Sequence, residues 1–184
     1  YFDAELLSTS LEVFLNLLLL WTLLHAESRR SWILFTVSGF ILGLSAITRP
    51  NILVILPGIF AWLFIKGVKS HKKAWAFFMT ALVIVGVALP VLPVTLRNYL
   101  IGGEFIPIAS NGGVNFYIGN NPLSNGIRAV VPGTRTTWKG GYEDTHNIPE
   151  MELGKKLKEA EISDYWYRKS FQWIGSEPGQ WFRL

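Results

Sequence analysis

The chain reads as a mainly α-helical membrane protein: about four transmembrane helices, then a turn-rich external domain with short strands and an amphipathic helix. Three observations predict this. Apolar runs occupy 6–24, 32–47, 52–65 and 75–96, basic residues cluster in the short polar stretches between them, and the character of the sequence changes at Arg97. The domain reading follows, with residues 1–97 as a transmembrane region and 98–184 as an external loop domain.

A helix rises about 1.5 Å per residue and a bilayer core is about 30 Å thick, so the first and last runs are long enough to cross. The two middle runs are shorter. Only Thr48-Arg49-Pro50-Asn51 joins them, which suggests a hairpin that crosses and returns, with a re-entrant or buried helix pair as the alternative.

The formal charge of +4 is topogenic and does not point to a nucleic-acid partner. Arg29, Arg30, Lys66, Lys69, Lys72 and Lys73 lie in two short segments, and the basic residues after Arg97 are balanced by acids. Lys and Arg accumulate in short cytoplasmic loops, which places 25–31 and 66–73 inside and 98–184 in the periplasm or extracellular space of a plasma membrane. Attraction of anionic lipid by 66–73 is compatible with the same lysines. Cysteine is absent, so disulfides and thiolate metal sites are excluded. His25, His71 and His146 fall in different segments without zinc-ligand spacing, and no dedicated metal-ligand cluster is visible. The chain starts without Met and leads directly into an apolar run, so it reads as the interior of a larger membrane protein.

Polar groups along the first predicted helix recur at helical spacing: Glu5, Ser8, Glu12 and Asn16. Such a stripe avoids lipid and faces another helix or a wet cavity. Glu12 and Asn16 suit a hydrogen-bonded seam, whereas Asp3 and Glu5 sit at the external mouth, where a charged ligand has access. Arg49 precedes Pro50 at an external turn. Its guanidinium suits either snorkelling to headgroups or a contact to phosphate oxygens.

Beyond Arg97-Asn98, turn signals recur at Gly102-Gly103, Asn111-Gly112-Gly113, Gly119-Asn120-Asn121-Pro122, Asn125-Gly126, Pro132-Gly133 and Gly140-Gly141. Between them lie β-prone runs at 105–109, 114–118 and 127–131, which predict small hairpins or extended segments. The amides of Asn120 and Asn121 suit turn chemistry, with sugar hydroxyls as alternative partners. Charged helix formers and aromatics over 150–174 predict an amphipathic helix near the membrane interface, stopped by Gly175 and Pro178.

Taken in order, Phe2-Asp3-Ala4-Glu5-Leu6-Leu7, Gly43-Leu44-Ser45-Ala46-Ile47-Thr48-Arg49-Pro50, and Arg97-Asn98 leading to Asn111-Gly112-Gly113-Val114-Asn115-Phe116-Tyr117-Ile118-Gly119-Asn120-Asn121-Pro122 resemble membrane glycosyltransferases of the GT-C class. The likeness is to the protein O-mannosyltransferase and aminoarabinose-transferase-like family. It implies transfer of a sugar from a polyprenyl-phosphate-linked donor, held in the lipid bilayer, to a protein, lipid or glycan acceptor on the external face. It further implies Glu5 or Asp3 as a catalytic acid opening the first helix and Arg49 as a contact to the donor phosphate. Arg97, Asn98, Asn120 and Asn121 are candidate sugar or acceptor contacts. The family's principal catalytic acid lies N-terminal to this sequence. The implied chemistry is direct displacement at the anomeric carbon, with a carboxylate as general base and cations stabilising the leaving phosphate. No cofactor is assigned, and a divalent metal is left open. A transporter or flippase of a polar or lipid-linked solute is the competing reading, because an intramembrane acidic stripe serves an ion path equally well. A scaffold role for the outer region is a third.

Overall fold

The computed structural model describes residues 9–184, and its described residues are mainly helical and contain no strand. The chain divides into two compact units, one ending at Ile108 and the other Ala109–Leu184.

The first unit is a helix bundle. α1 (Thr9–Arg29) buries Leu15, Leu19, Leu23 and Ala26 at helical spacing, while Phe14, Leu17, Trp21 and Leu24 stay exposed. A helix apolar on all sides and incompletely buried is suited to lipid. α2 (Trp32–Thr48) starts at Ser31, whose hydroxyl accepts the Leu34 N–H at 3.4 Å. It ends at Arg49, held extended at φ −145° before Pro50. A 3-10 turn (Pro50–Val54) then leads into α3 (Ile55–Lys69), and α4 (Lys73–Gly102) completes the bundle. Among the described residues three segments are long and apolar enough to cross a membrane: Thr9–Arg29, Pro50–Lys69 and Lys73–Gly102. The remaining expected span corresponds to α2, an apolar helix of 17 residues that is shorter than these three.

α2 lies between α1 and α4 and runs parallel to α4. Gly39 meets Val83 and Gly86, and Gly43 meets Val87 and Pro90. The backbones nearly touch, since a Cβ on Gly39 would lie 2.1 Å from the Val83 carbonyl oxygen and one on Gly86 2.2 Å from that of Thr36. Small residues four apart permit such close approach, and in lipid the packing gained this way replaces the missing hydrophobic drive. α4 carries Pro90 and Pro93, runs on through Arg97, and stops at Gly103 in the left-handed region at φ 65°. Asn98 and Thr95 then hold the chain leaving the helix, because the Asn98 amide donates to the carbonyls of Ile106 and Ile108 and the Thr95 hydroxyl to that of Pro107.

The second unit contains α5 (Gly112–Gly119), α6 (Trp138–Leu153), α7 (Glu159–Ser176) and the short α8 (Pro178–Trp181). The expected strands are corrected. Residues 114–118 lie in α5, and 105–109 and 127–131 are irregular. A five-residue β-prone run fits either conformation until packing chooses. Here Gly113 and Tyr117, one turn apart, face α7, with Tyr117 against Trp166 at 4.8 Å between ring centroids. A Cβ on Gly113 would sit 1.8 Å from the Ser163 carbonyl oxygen, so only glycine allows this approach.

The single helix expected over 150–174 is also corrected, into α6 and α7. Gly154 takes the left-handed conformation at φ 65° and ends α6, after which Glu161 accepts the Lys158 backbone N–H at 2.9 Å and starts α7. α6 begins well upstream of that expectation, where Thr137 caps the helix by accepting the Gly140 N–H at 3.2 Å. Trp166, fully buried, donates its indole N–H to the Thr145 carbonyl at 2.9 Å and joins the two helices.

Candidate functional site

Glu12 and Asn16 sit one turn apart on α1, and the antiparallel α1–α2 contact aligns them with Arg49 and Ser45 at the end of α2. The Arg49 Nε lies 3.0 Å from a Glu12 carboxylate oxygen. One turn deeper the Ser45 hydroxyl donates to the Asn16 side-chain oxygen at 2.8 Å. The Glu12–Asn16 stripe is thus a seam against a neighbouring helix. Its charged end is open to the surface of the bundle: the Arg49 side chain is 55% exposed and that of Glu12 21%.

A guanidinium carries five N–H donors in a planar fork. The pair with Glu12 engages Arg49 through Nε, and the Arg49 side chain as a whole stays more than half exposed. An exposed guanidinium of this kind is chemically suited to an oxyanion. The opposite end of the bundle carries its own tie, Lys66 to Glu27. Glu12 and Glu27 are separated along α1 by about 22 Å at 1.5 Å per residue, so the two ion pairs mark opposite ends of the bundle.

The remaining sequence-derived candidates fall in different places. Asp3 and Glu5 lie outside the described residues. Arg97 is exposed on the last turns of α4. Asn98 spends its amide on Ile106 and Ile108, as described above. Asn120 donates to the Phe116 carbonyl and accepts the Trp181 indole N–H at 2.7 Å. Asn121 is buried, donates to Tyr117 and Ile118, and accepts the Leu123 N–H at 2.8 Å. The amide groups of these three asparagines therefore serve backbone closure and helix termination. Among the described residues no group of three or more His, Asp or Glu side chains converges on a point, so they offer no ready metal cage.

The second unit holds a cleft of about 730 Å³ lined in part by Arg135, Asp144, Asn147, Glu150 and Lys156. Arg135 grips Asp144 through Nε at 3.0 Å and a terminal nitrogen at 2.8 Å, and reaches Glu143 at 2.9 Å. Hydrogen bonding to those carboxylates raises the Arg135 pKa above its ordinary value, and the same bonds hold Asp144 below the usual carboxylate range. Glu150 is lowered by hydrogen bonds from Lys156 and the Leu157 backbone N–H. The charges named on its wall pair with one another.

Two features escaped the sequence reading. The Gly39-xxx-Gly43 spacing was visible, yet its partner Gly86 lies in another helix and only contact identifies it. Glu12 and Arg49 were both noticed, but 37 positions of separation concealed that they pair. No protein-family model matches the chain, and neither a curated protein nor a solved structure matches it.

Proposed function

We propose that the chain belongs to an integral-membrane glycosyltransferase that moves a sugar from a polyprenyl-phosphate-linked donor to an acceptor on the external face. The Arg49–Glu12 pair carries the reading. A guanidinium paired with Glu12 and half exposed at the end of an apolar bundle suits a lipid-linked phosphate in charge and in donor chemistry. In this reading α2 is a fourth span, shortened at the donor site, and the basic turns 25–31 and 66–73 face the cytoplasm. Asp3 or Glu5 supplies a catalytic carboxylate at the external mouth, alongside the principal acid that the family carries N-terminal to this sequence. Arg49 acts most strongly as negative charge develops on the leaving phosphate, and an interaction that grows in this way raises the chemical rate.

The test is transfer of labelled sugar from polyprenyl-phosphate donors by the full-length protein in membranes. Arg49→Ala is expected to lower transfer by about 10²-fold, the effect of removing one preorganised donor at a developing oxyanion, with Arg49→Lys recovering part of it. Glu5→Gln is expected to lower transfer comparably. Transfer unchanged in these variants at equal expression would overturn the site assignment. A wild type inactive with every donor, yet moving a lipid-linked solute between leaflets, would replace the transferase by a flippase.

A further inference from the structure

The turn between α3 and α4 carries lysines that the bundle does not use. Lys66 is engaged, since its ammonium pairs with Glu27 and lies 5.1 Å from the Trp62 ring centroid. Lys69, Lys72 and Lys73 are exposed and make no ion pair among the described residues. Three desolvation-sensitive cations so close together repel one another unless an anion joins them.

Next to these lysines the two helices almost touch, because a Cβ on Gly67 would lie 2.6 Å from that of Ala76. Farther along they leave a groove of about 360 Å³, lined by Phe60, Ala61 and Phe64 on α3 and by Ala76, Phe77 and Thr80 on α4. Phe64 and Phe77 meet edge to face across it, with centroids 5.9 Å apart. One end of the groove therefore adjoins the basic turn and the other runs toward the middle of two helices long enough to cross a membrane. A basic pocket between spanning helices selects acidic headgroups, and an apolar groove beneath it receives a lipid tail.

We infer that the α3–α4 groove together with Lys69, Lys72 and Lys73 forms a binding site for an anionic phospholipid, an acyl chain lying in the groove and the phosphate at the lysines. The site is at the end of the bundle opposite Arg49, and it stands whether or not the protein transfers a sugar. Its occupant is a structural or regulatory lipid of the membrane.

The experiment reconstitutes the full-length protein into nanodiscs of equal parts phosphatidylglycerol and phosphatidylcholine and identifies retained lipid by native mass spectrometry. Both faces are open in a nanodisc, so orientation does not enter. The wild type is expected to retain phosphatidylglycerol over phosphatidylcholine by about tenfold or more, given the attraction of each interfacial lysine. The triple change Lys69→Gln, Lys72→Gln, Lys73→Gln is expected to abolish the preference. Ala61→Trp, which fills the groove from an exposed position and leaves the lysines intact, is expected to abolish retention; Thr80→Trp does the same from the other wall should Ala61→Trp disturb the helical circular dichroism. Inorganic phosphate is expected not to displace the lipid. Overturning results are equal retention of both lipids by the wild type, or retention in both groove-filled variants that still responds to the lysines, which would mean diffuse surface attraction. Loss of lipid in favour of a second protein chain on the groove would overturn it equally.

Discussion

Adding one methyl group to Gly39 should separate α2 from α4. The new Cβ would lie 2.1 Å from the Val83 carbonyl oxygen, against 3.4 Å for ordinary contact, and the neighbour is backbone that no rotamer change can move aside. The helices must part by about an ångström, at an overpacking cost of about 1–3 kcal/mol. Replacing glycine by alanine in a helix returns about 1 kcal/mol through propensity. Because the clash is severe, Gly39→Ala should destabilise the bundle by about 1–2 kcal/mol, or about 2–8 °C in melting temperature for a chain of this size. Gly58→Ala is the matched control, since its Cβ meets nothing within 4 Å and should be neutral or stabilising by up to about 1 kcal/mol. The assay is thermal unfolding in detergent followed by helical circular dichroism. Gly39→Ala melting at or above wild type would refute the close α2–α4 contact. A drop of equal size in Gly58→Ala would show that helical glycines matter here for another reason.

Other expectations test separate parts of the molecule. Trp166→Phe leaves the Thr145 carbonyl without its donor in a buried site and should destabilise the second unit by about 1–3 kcal/mol, read from near-ultraviolet circular dichroism during urea unfolding. A double-mutant cycle with Glu12→Gln and Arg49→Gln should give a coupling of at most about 1 kcal/mol, because the pair is substantially exposed; a coupling several times larger would place it in a dry interior. The second unit should lose stability in acid. Asp144, Glu150 and Glu161 have folded pKa values below their ordinary 3.8 and 4.5, so their contribution is complete above those values and disappears as pH falls through the lower folded ones. Fluorescence-detected unfolding against pH should stay flat from neutrality to about pH 5 with respect to these groups and decline below about pH 4.5. Arg135→Gln should reduce the acid-dependent part, and a profile unchanged by it would remove the Arg135 clamp as a cause.

What the amino-acid sequence determined by itself was local. Runs of apolar residues mark the bundle helices, Pro50 and Gly103 end two of them, and basic residues gather in the turns at 25–31 and 66–73; each depends on neighbours within a few residues, where propensity and composition act directly. Glu12, Asn16 and Arg49 stood out because polar groups are rare in such runs. Tertiary structure alone decided their partners. Ser45 lies 29 residues from Asn16, and nothing local selects that bond over solvation or another helix. The same holds for 112–119, where a β-prone run becomes a helix because Gly113 and Tyr117 find α7, and for the long amphipathic stretch, where Gly154 could continue or break a helix until its left-handed turn let α6 and α7 share Trp166. Local signals specify where elements form when one conformation is strongly preferred. Pairings across tens of residues depend on which faces meet, and that free energy exists only once the chain has folded.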